Sequence, residues 1–181
     1  EGQQEGAAAA GGGSADAAQL RRRFEEAIEA LRKSRKKGAA GLYDLPWYVI
    51  IGPPGAGKTT VLVNSGLHFP LAQQFGKEAV RGVGGTRNCD WWFTDEAILL
   101  DTAGRYTTQD SNAKADASGW SAFLQLLRKF RGRQPINGVI VAVSATDLIT
   151  LSEREREQHV SAIRERLDEL GRELRIRVPV Y

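Results

Sequence analysis

The strongest constraint on this chain is a glycine-rich stretch that directly follows a short apolar run. Residues 47–51 read Trp-Tyr-Val-Ile-Ile, and residues 52–59 read Gly-Pro-Pro-Gly-Ala-Gly-Lys-Thr, which fits G-x-x-x-x-G-K-[ST]. Glycines let backbone N–H groups surround a phosphate, the lysine spans the outer phosphates, and the threonine hydroxyl suits Mg²⁺. The alternative is a glycine-rich turn, but a strand from Trp47 to Ile51 and a helix continuing from Val61 to Gly66 favour phosphate binding. The residues assigned to nucleotide binding here are Gly52, Pro53, Pro54, Gly55, Ala56, Gly57, Lys58, Thr59 and Thr60.

A second motif, Asp-Thr-Ala-Gly at residues 101–104, follows the apolar residues 98–100. A carboxylate at this strand end would hold Mg²⁺, usually through water, and the backbone N–H of Gly104 would reach a γ-phosphate. Taken alone, Asp101 and Thr102 also fit an ordinary turn or helix cap. Together the two motifs predict a nucleoside triphosphate and Mg²⁺ as cofactors, with Asp101 and Gly104 in the nucleotide site.

Between the motifs, Thr86 lies in the glycine-rich stretch 81–88. Switch GTPases keep a threonine in such a connection that closes onto Mg²⁺ when the γ-phosphate is bound. The alternative is that Thr86 hydrogen-bonds within its own loop. We therefore expect Thr59, Thr86 and Asp101 to be the metal-binding residues, and Lys58, Thr86, Gly104 and Arg105 to form the catalytic set.

Strand and helix patterns alternate from residue 45 onward, which predicts a layered α/β domain. Strands from Trp91 to Thr94 and from Ala97 to Asp101 are separated by two residues, a connection that only an antiparallel pair allows. The remaining predicted elements are a helix from Trp120 to Arg131, a strand from Gly138 to Val143, a helix from Ser152 to Leu174 and a strand beginning at Val178. We predict a P-loop NTPase of the small switch-GTPase type, with a mostly parallel sheet and one antiparallel strand.

The N-terminal part divides into two segments before the predicted NTPase domain at residues 42–181. Residues 1–14 are rich in glycine and alanine, which predicts a flexible linker. Residues 15–41 form an amphipathic helical extension, whose tail from Arg32 to Lys37 is basic. That tail fits either a solvated helix end or contact with anionic lipid headgroups. The apolar positions of the helix are Leu20, Phe24, Ala27, Ile28 and Leu31.

Composition excludes several classes of function. The 25 basic and 22 acidic residues form a mixed surface with a net charge of +3, so we expect no nucleic-acid partner. Cys89 is the single cysteine, which excludes an intrachain disulfide and a cysteine metal cluster. The apolar stretch from Leu45 to Ile51 is far shorter than the ~20 residues of a membrane span. We expect this piece to be soluble.

Five stretches of the chain resemble the IcmF/TssM family: LPWYVIIGPPG (45–55), NSG (64–66), GGTRNCDWWF (84–93), DTAGRYTTQ (101–109) and PINGV (135–139). The resemblance runs from Leu42 to Tyr181. It implies the nucleotide-binding domain of an integral inner-membrane component of the bacterial type VI secretion system, at the cytoplasmic face of that membrane. It also implies membrane-complex and baseplate proteins as partners.

The family's membrane-spanning segments are missing here, so we expect a fragment that is truncated at its C-terminus. In GTPases the base-selecting segment follows the strand that begins here near Val178. The choice between GTP and ATP therefore stays open.

The sequence predicts nucleotide binding with slow catalysis. Small GTPases place a water-orienting glutamine where this chain has Arg105, and arginine can stabilise charge but cannot replace that amide. Gln109 is a nearby substitute, and slow hydrolysis is the expectation. One alternative is a structural scaffold that docks the secretion baseplate and has a degenerate or dispensable nucleotide site. A second is a signal-recognition-particle-like GTPase, but the short separation of the two motifs favours the switch-GTPase topology.

Overall fold

A four-stranded sheet organises the part of the chain that the computed structural model describes, namely residues 17–29, 31–32, 38–69 and 88–181. The strands are β1 (Trp47–Ile51), β2 (Cys89–Phe93), β3 (Ile98–Thr102) and β4 (Gly138–Val141). Residues 17–29 form helix α1, residues 31–32 are also helical, and Gly38–Tyr43 is a 3-10 helix. The other helices are α2 (Lys58–Val63), α3 (Gly104–Thr108), α4 (Ala113–Phe130), α5 (Ala145–Thr150) and α6 (Glu153–Leu174).

The strand order is β2-β3-β1-β4. Central β1 pairs in parallel with β3 and β4, and this register places Ile50 opposite Asp101. The predicted hairpin is confirmed, because β2 runs antiparallel to β3 with Trp91 opposite Leu100. Beside β4, Val180 forms a parallel bridge to Val139, so the strand predicted from Val178 is present as a short pairing. The carboxyl ends of β1 and β3 therefore lie together at one edge of the sheet.

Each face of the sheet carries its own apolar core. The larger core contains Trp47 and Val49 of β1 together with side chains of α1, α4 and α6. On the opposite face, Ile50 lies with Leu62 of α2 and with Trp92 of β2. Neighbouring residues of a strand point to opposite faces, which explains how one short apolar strand serves both cores.

Helix α1 is part of the larger core. Phe24 is fully buried, and its ring lies 4.7 Å from that of Trp91 and 5.9 Å from that of Phe123. Arg23 adds an ion pair to Asp90 at 3.1 Å. The predicted amphipathic face of this extension is thus packed on the α/β domain. The linker and most of the basic tail lie outside the described residues.

Several element boundaries differ from those predicted. Helix α4 begins at Ala113 and not at Trp120, because the Asn112 side chain accepts a hydrogen bond from the Ala115 N–H and caps an alanine-rich first turn. Helix α2 begins at Lys58 and ends at Val63, and Asn64 is its C-cap. Helices α3 and α5 were not predicted, since each has only five or six residues. Helix α6 is confirmed, with Ser152 and Glu155 forming a capping box.

Trp91 and Trp92 lie on opposite faces of the sheet, and both are packed within the chain. Trp91 is half-buried against the rings of Phe24 and Trp47. Trp92 is 3% exposed and its ring lies 5.2 Å from that of Phe69. Neither tryptophan is therefore a separate exposed contact surface.

Candidate functional site

The loop at residues 52–59 connects β1 to α2 at the carboxyl edge of the sheet. Gly55 and Gly57 have φ angles of 78° and 80°, a left-handed conformation that residues with a Cβ rarely adopt. Gly57 is the N-cap of α2, and its carbonyl accepts a hydrogen bond from the N–H of Val61. The backbone thus turns sharply from the strand into the helix, and Gly57 is one of the two positions where the motif requires glycine.

Lys58 folds back over this loop. Its Nζ donates hydrogen bonds to the carbonyl of Gly52 at 2.8 Å and to that of Pro53 at 3.0 Å. The side chain is buried, and this burial lowers the pKa of Lys58 below its ordinary value, while the nearby Asp101 carboxylate opposes the shift. The ammonium group is bound by uncharged carbonyls, and a bound anion would compensate its charge more fully.

Thr59 and Asp101 meet at the junction of α2 and β3. The Thr59 hydroxyl donates to Oδ2 of Asp101 at 2.5 Å, and Asp101 is fully buried near the end of its strand. A hydroxyl and a carboxylate are hard oxygen ligands of the kind that Mg²⁺ prefers. The neighbouring Thr60 is exposed on α2. The structure therefore brings together two of the three predicted metal-binding residues, whereas Thr86 lies outside the described residues.

Gly104 packs directly on the 52–59 loop. A Cβ built on Gly104 would lie 2.5 Å from the backbone nitrogen of Pro54, so only glycine fits this approach. One turn further along α3, the Thr107 hydroxyl accepts a hydrogen bond from the N–H of Gly52 at 3.1 Å. The two predicted motifs are thus in contact.

Arg105 and Gln109 make contacts other than the predicted catalytic ones. The guanidinium of Arg105 pairs with Asp116 at 2.5 Å and donates to Oδ1 of Asn88 at 2.7 Å. Gln109 has a φ of 52° at the end of α3, and its amide donates to the Tyr106 carbonyl at 3.5 Å. The catalytic roles of both residues stay predictions.

Three residues of this region were not identified from the sequence: Thr107, Asn88 and Asp116. Thr107 joins α3 to the loop, while Asn88 and Asp116 bind Arg105. A single polar residue carries no sequence signal of such a contact, because the packing of α3 and α4 determines which residue it meets. The family resemblance did include Asn88 and Thr107 within its quoted stretches.

Comparison with known proteins identifies relatives of this chain. A family model described as the IcmF-related N-terminal domain matches residues 113–181. The type VI secretion system component TssM1 of Pseudomonas aeruginosa is 57% identical over 168 residues, which cover 92% of this chain. The chain spans 15% of the length of that relative. Among the residues described here, no helix combines the length and the apolar character needed to cross a membrane.

Proposed function

This chain belongs to the IcmF/TssM family, and we propose that it is a Mg²⁺-dependent nucleotide-binding switch domain of a type VI secretion component. The observation that carries the proposal is the convergence of Lys58, Thr59 and Asp101 at one sheet edge, with Gly104 packed on the adjoining 52–59 loop. The strand order and the antiparallel β2–β3 hairpin support a switch-GTPase type of P-loop domain.

Each residue of the site has a defined part in holding MgGTP or MgATP. Lys58 would exchange its two loop carbonyls for phosphate oxygens. The phosphate charge would offset the free-energy cost of burying an ammonium without a full counter-charge. Thr59 and Asp101 would hold Mg²⁺, and bound Mg²⁺ neutralises phosphate charge. The backbone N–H of Gly104 would respond to the γ-phosphate, because Gly104 already lies on the loop.

Hydrolysis is proposed to be slow. The Arg105 guanidinium is held by Asp116 and Asn88, and the Gln109 amide by the Tyr106 carbonyl. Orienting an attacking water requires a polar group directed at that water, and both groups are directed at protein atoms. We therefore propose that the bound state of the site, more than its turnover, carries the function.

The proposal is tested by titrating the purified chain with fluorescent GTP and ATP analogues, with Mg²⁺ and with EDTA. We expect binding that requires Mg²⁺ and that Lys58→Ala abolishes. The matched control is Lys114→Ala, because Lys114 is exposed on α4. If wild-type protein shows no Mg²⁺-dependent binding of either analogue, the proposal is wrong.

A structural scaffold is the second candidate function, and the exposed apolar side chains of α5 favour it. Within the described part of the chain no residue of α5 is buried, and Leu148 and Ile149 are 55% and 82% exposed. Such a surface fits a protein partner, which we propose to be a membrane-complex or baseplate protein at the cytoplasmic face of the inner membrane. Partner affinity that does not change among GTP, GDP, ATP and no nucleotide would favour the scaffold over the switch.

A further inference from the structure

Arg105 joins three segments of the chain. It is the second residue of α3, its partner Asn88 immediately precedes β2, and its partner Asp116 lies in the first turn of α4. One guanidinium nitrogen pairs with Asp116 at 2.5 Å, and another donates to Asn88 at 2.7 Å. We call these three residues the Arg105 clamp.

Both partners of Arg105 are themselves held in place. Asn88 is 1% exposed, its Oδ1 also accepts from the Tyr106 hydroxyl at 3.2 Å, and its backbone carbonyl accepts from the N–H of Ala103 at 2.9 Å. Asp116 is 1% exposed, and its Oδ2 accepts from the Ser111 hydroxyl at 2.8 Å. Moving Arg105 away would leave the buried oxygens of Asn88 and Asp116 without this cation, and the loss of a buried partner costs free energy. The guanidinium is therefore fixed at the clamp.

The clamp adjoins the proposed nucleotide site through Gly104. Arg105 directly follows Gly104, which lies against Pro54 of the 52–59 loop. The backbone carbonyl of Asn88 accepts a hydrogen bond from the N–H of Ala103, the residue before Gly104. A displacement of Gly104 would therefore be passed through Arg105 to the start of β2.

We propose that Arg105 is a positioning residue, which couples Gly104 to Asn88 and thereby makes the site prefer a nucleoside triphosphate to a diphosphate. This inference rests on the proposed function, because it concerns the same nucleotide site. It assigns Arg105 a role different from direct contact with the transferred phosphate. The coupling requires both contacts of the guanidinium, since the contact with Asp116 fixes Arg105 to α4 and the contact with Asn88 connects it to β2.

The test measures the affinities of fluorescent GTP and GDP, and of the corresponding ATP and ADP analogues, with Mg²⁺. Two variants remove the clamp: R105Q/D116N, which leaves no unpaired buried charge, and N88A, which removes one of the two contacts. The control is R128Q, because Arg128 is exposed on the same helix α4. A variant that merely loosens the fold weakens the binding of triphosphate and diphosphate by the same factor, so the ratio of the two affinities stays unchanged.

We expect the triphosphate-to-diphosphate affinity ratio to fall at least about fivefold in both clamp variants and to be retained in R128Q. An unchanged ratio in both clamp variants, or a wild-type protein without a triphosphate preference, overturns the clamp alone. A ratio lost in R105Q/D116N but kept in N88A indicates direct phosphate contact and also overturns it. Absence of any wild-type binding overturns the proposed function together with the clamp.

Discussion

The Thr59 hydroxyl donates a 2.5 Å hydrogen bond to the Asp101 carboxylate, and this contact joins the two motifs that lie 42 positions apart in the chain. It connects the start of α2 to β3 at the edge where β1 and β3 both end. Oxygen atoms of the two residues are therefore placed together.

Replacing Thr59 by valine removes this hydroxyl while keeping a side chain of similar size. We expect the Mg²⁺-dependent nucleotide affinity to fall by at least about tenfold, equal to about 1.4 kcal/mol, because a proposed metal ligand is lost. The measurement is nucleotide affinity as a function of Mg²⁺ concentration. Thr146→Val is the matched control, since Thr146 is exposed on α5 and lies outside both motifs. Equal losses in the two variants would contradict a specific role for Thr59.

The pH dependence of stability reports the burial of Lys58. Its pKa is lowered in the folded chain, so between the folded and unfolded pKa values the unfolded chain binds more protons. The contribution of Lys58 to the free energy of unfolding therefore rises with pH through that window, and Lys58→Met removes the rise.

Urea unfolding of both proteins from neutral pH to about pH 10 measures this effect. The wild-type value minus the variant value should increase with pH, since groups common to both proteins cancel in the difference. Cys89 is one such group. Burial raises the pKa of its thiol well above the ordinary value, but the thiol is present in both proteins. A difference in the free energy of unfolding that stays constant with pH would contradict the prediction.

Gly104→Ala tests the contact between the two motifs. The added Cβ would lie 2.5 Å from the nitrogen and 2.6 Å from the Cα of Pro54, and backbone atoms cannot move aside as a flexible side chain does. We expect a loss of about 1–3 kcal/mol in the free energy of unfolding, together with weaker nucleotide binding. Gly171→Ala is the control, because the nearest atom to its added Cβ is the Ile176 carbonyl oxygen at 3.6 Å. A Gly104→Ala protein as stable as wild type would show that the backbones of Gly104 and Pro54 do not pack this closely.

Phe24→Ala tests whether α1 belongs to the folded unit. The ring is fully buried among Trp91, Phe123 and Phe130, so its removal should lower the free energy of unfolding by about 3–5 kcal/mol. The control Leu148→Ala removes an apolar side chain that is 55% exposed, and a change within about 0.5 kcal/mol is expected. Urea unfolding checks both variants. If Phe24→Ala costs no more than the control, α1 is a separate extension.

Local patterns predicted much of the fold. The apolar run at 47–51 is β1, the two-residue separation near Asp95 indicated the antiparallel hairpin, and Ser152 does precede the long helix α6. Two short helices, α3 and α5, were not predicted, because one or two turns show little periodicity. The first turns of α4 were missed since they contain alanine and polar residues in place of large apolar ones.

The sequence by itself determined which residues are proposed to carry the chemistry, because glycine, lysine, threonine and aspartate at fixed spacing each have a distinct physical property. Only the tertiary structure decided what those residues contact: Gly104 lies on Pro54, and Thr59 on Asp101. It also placed Arg105 between Asp116 and Asn88, and the face of α1 in the core of the domain. These contacts join residues distant along the chain, and the pairing of strands and the packing of helices bring such residues together.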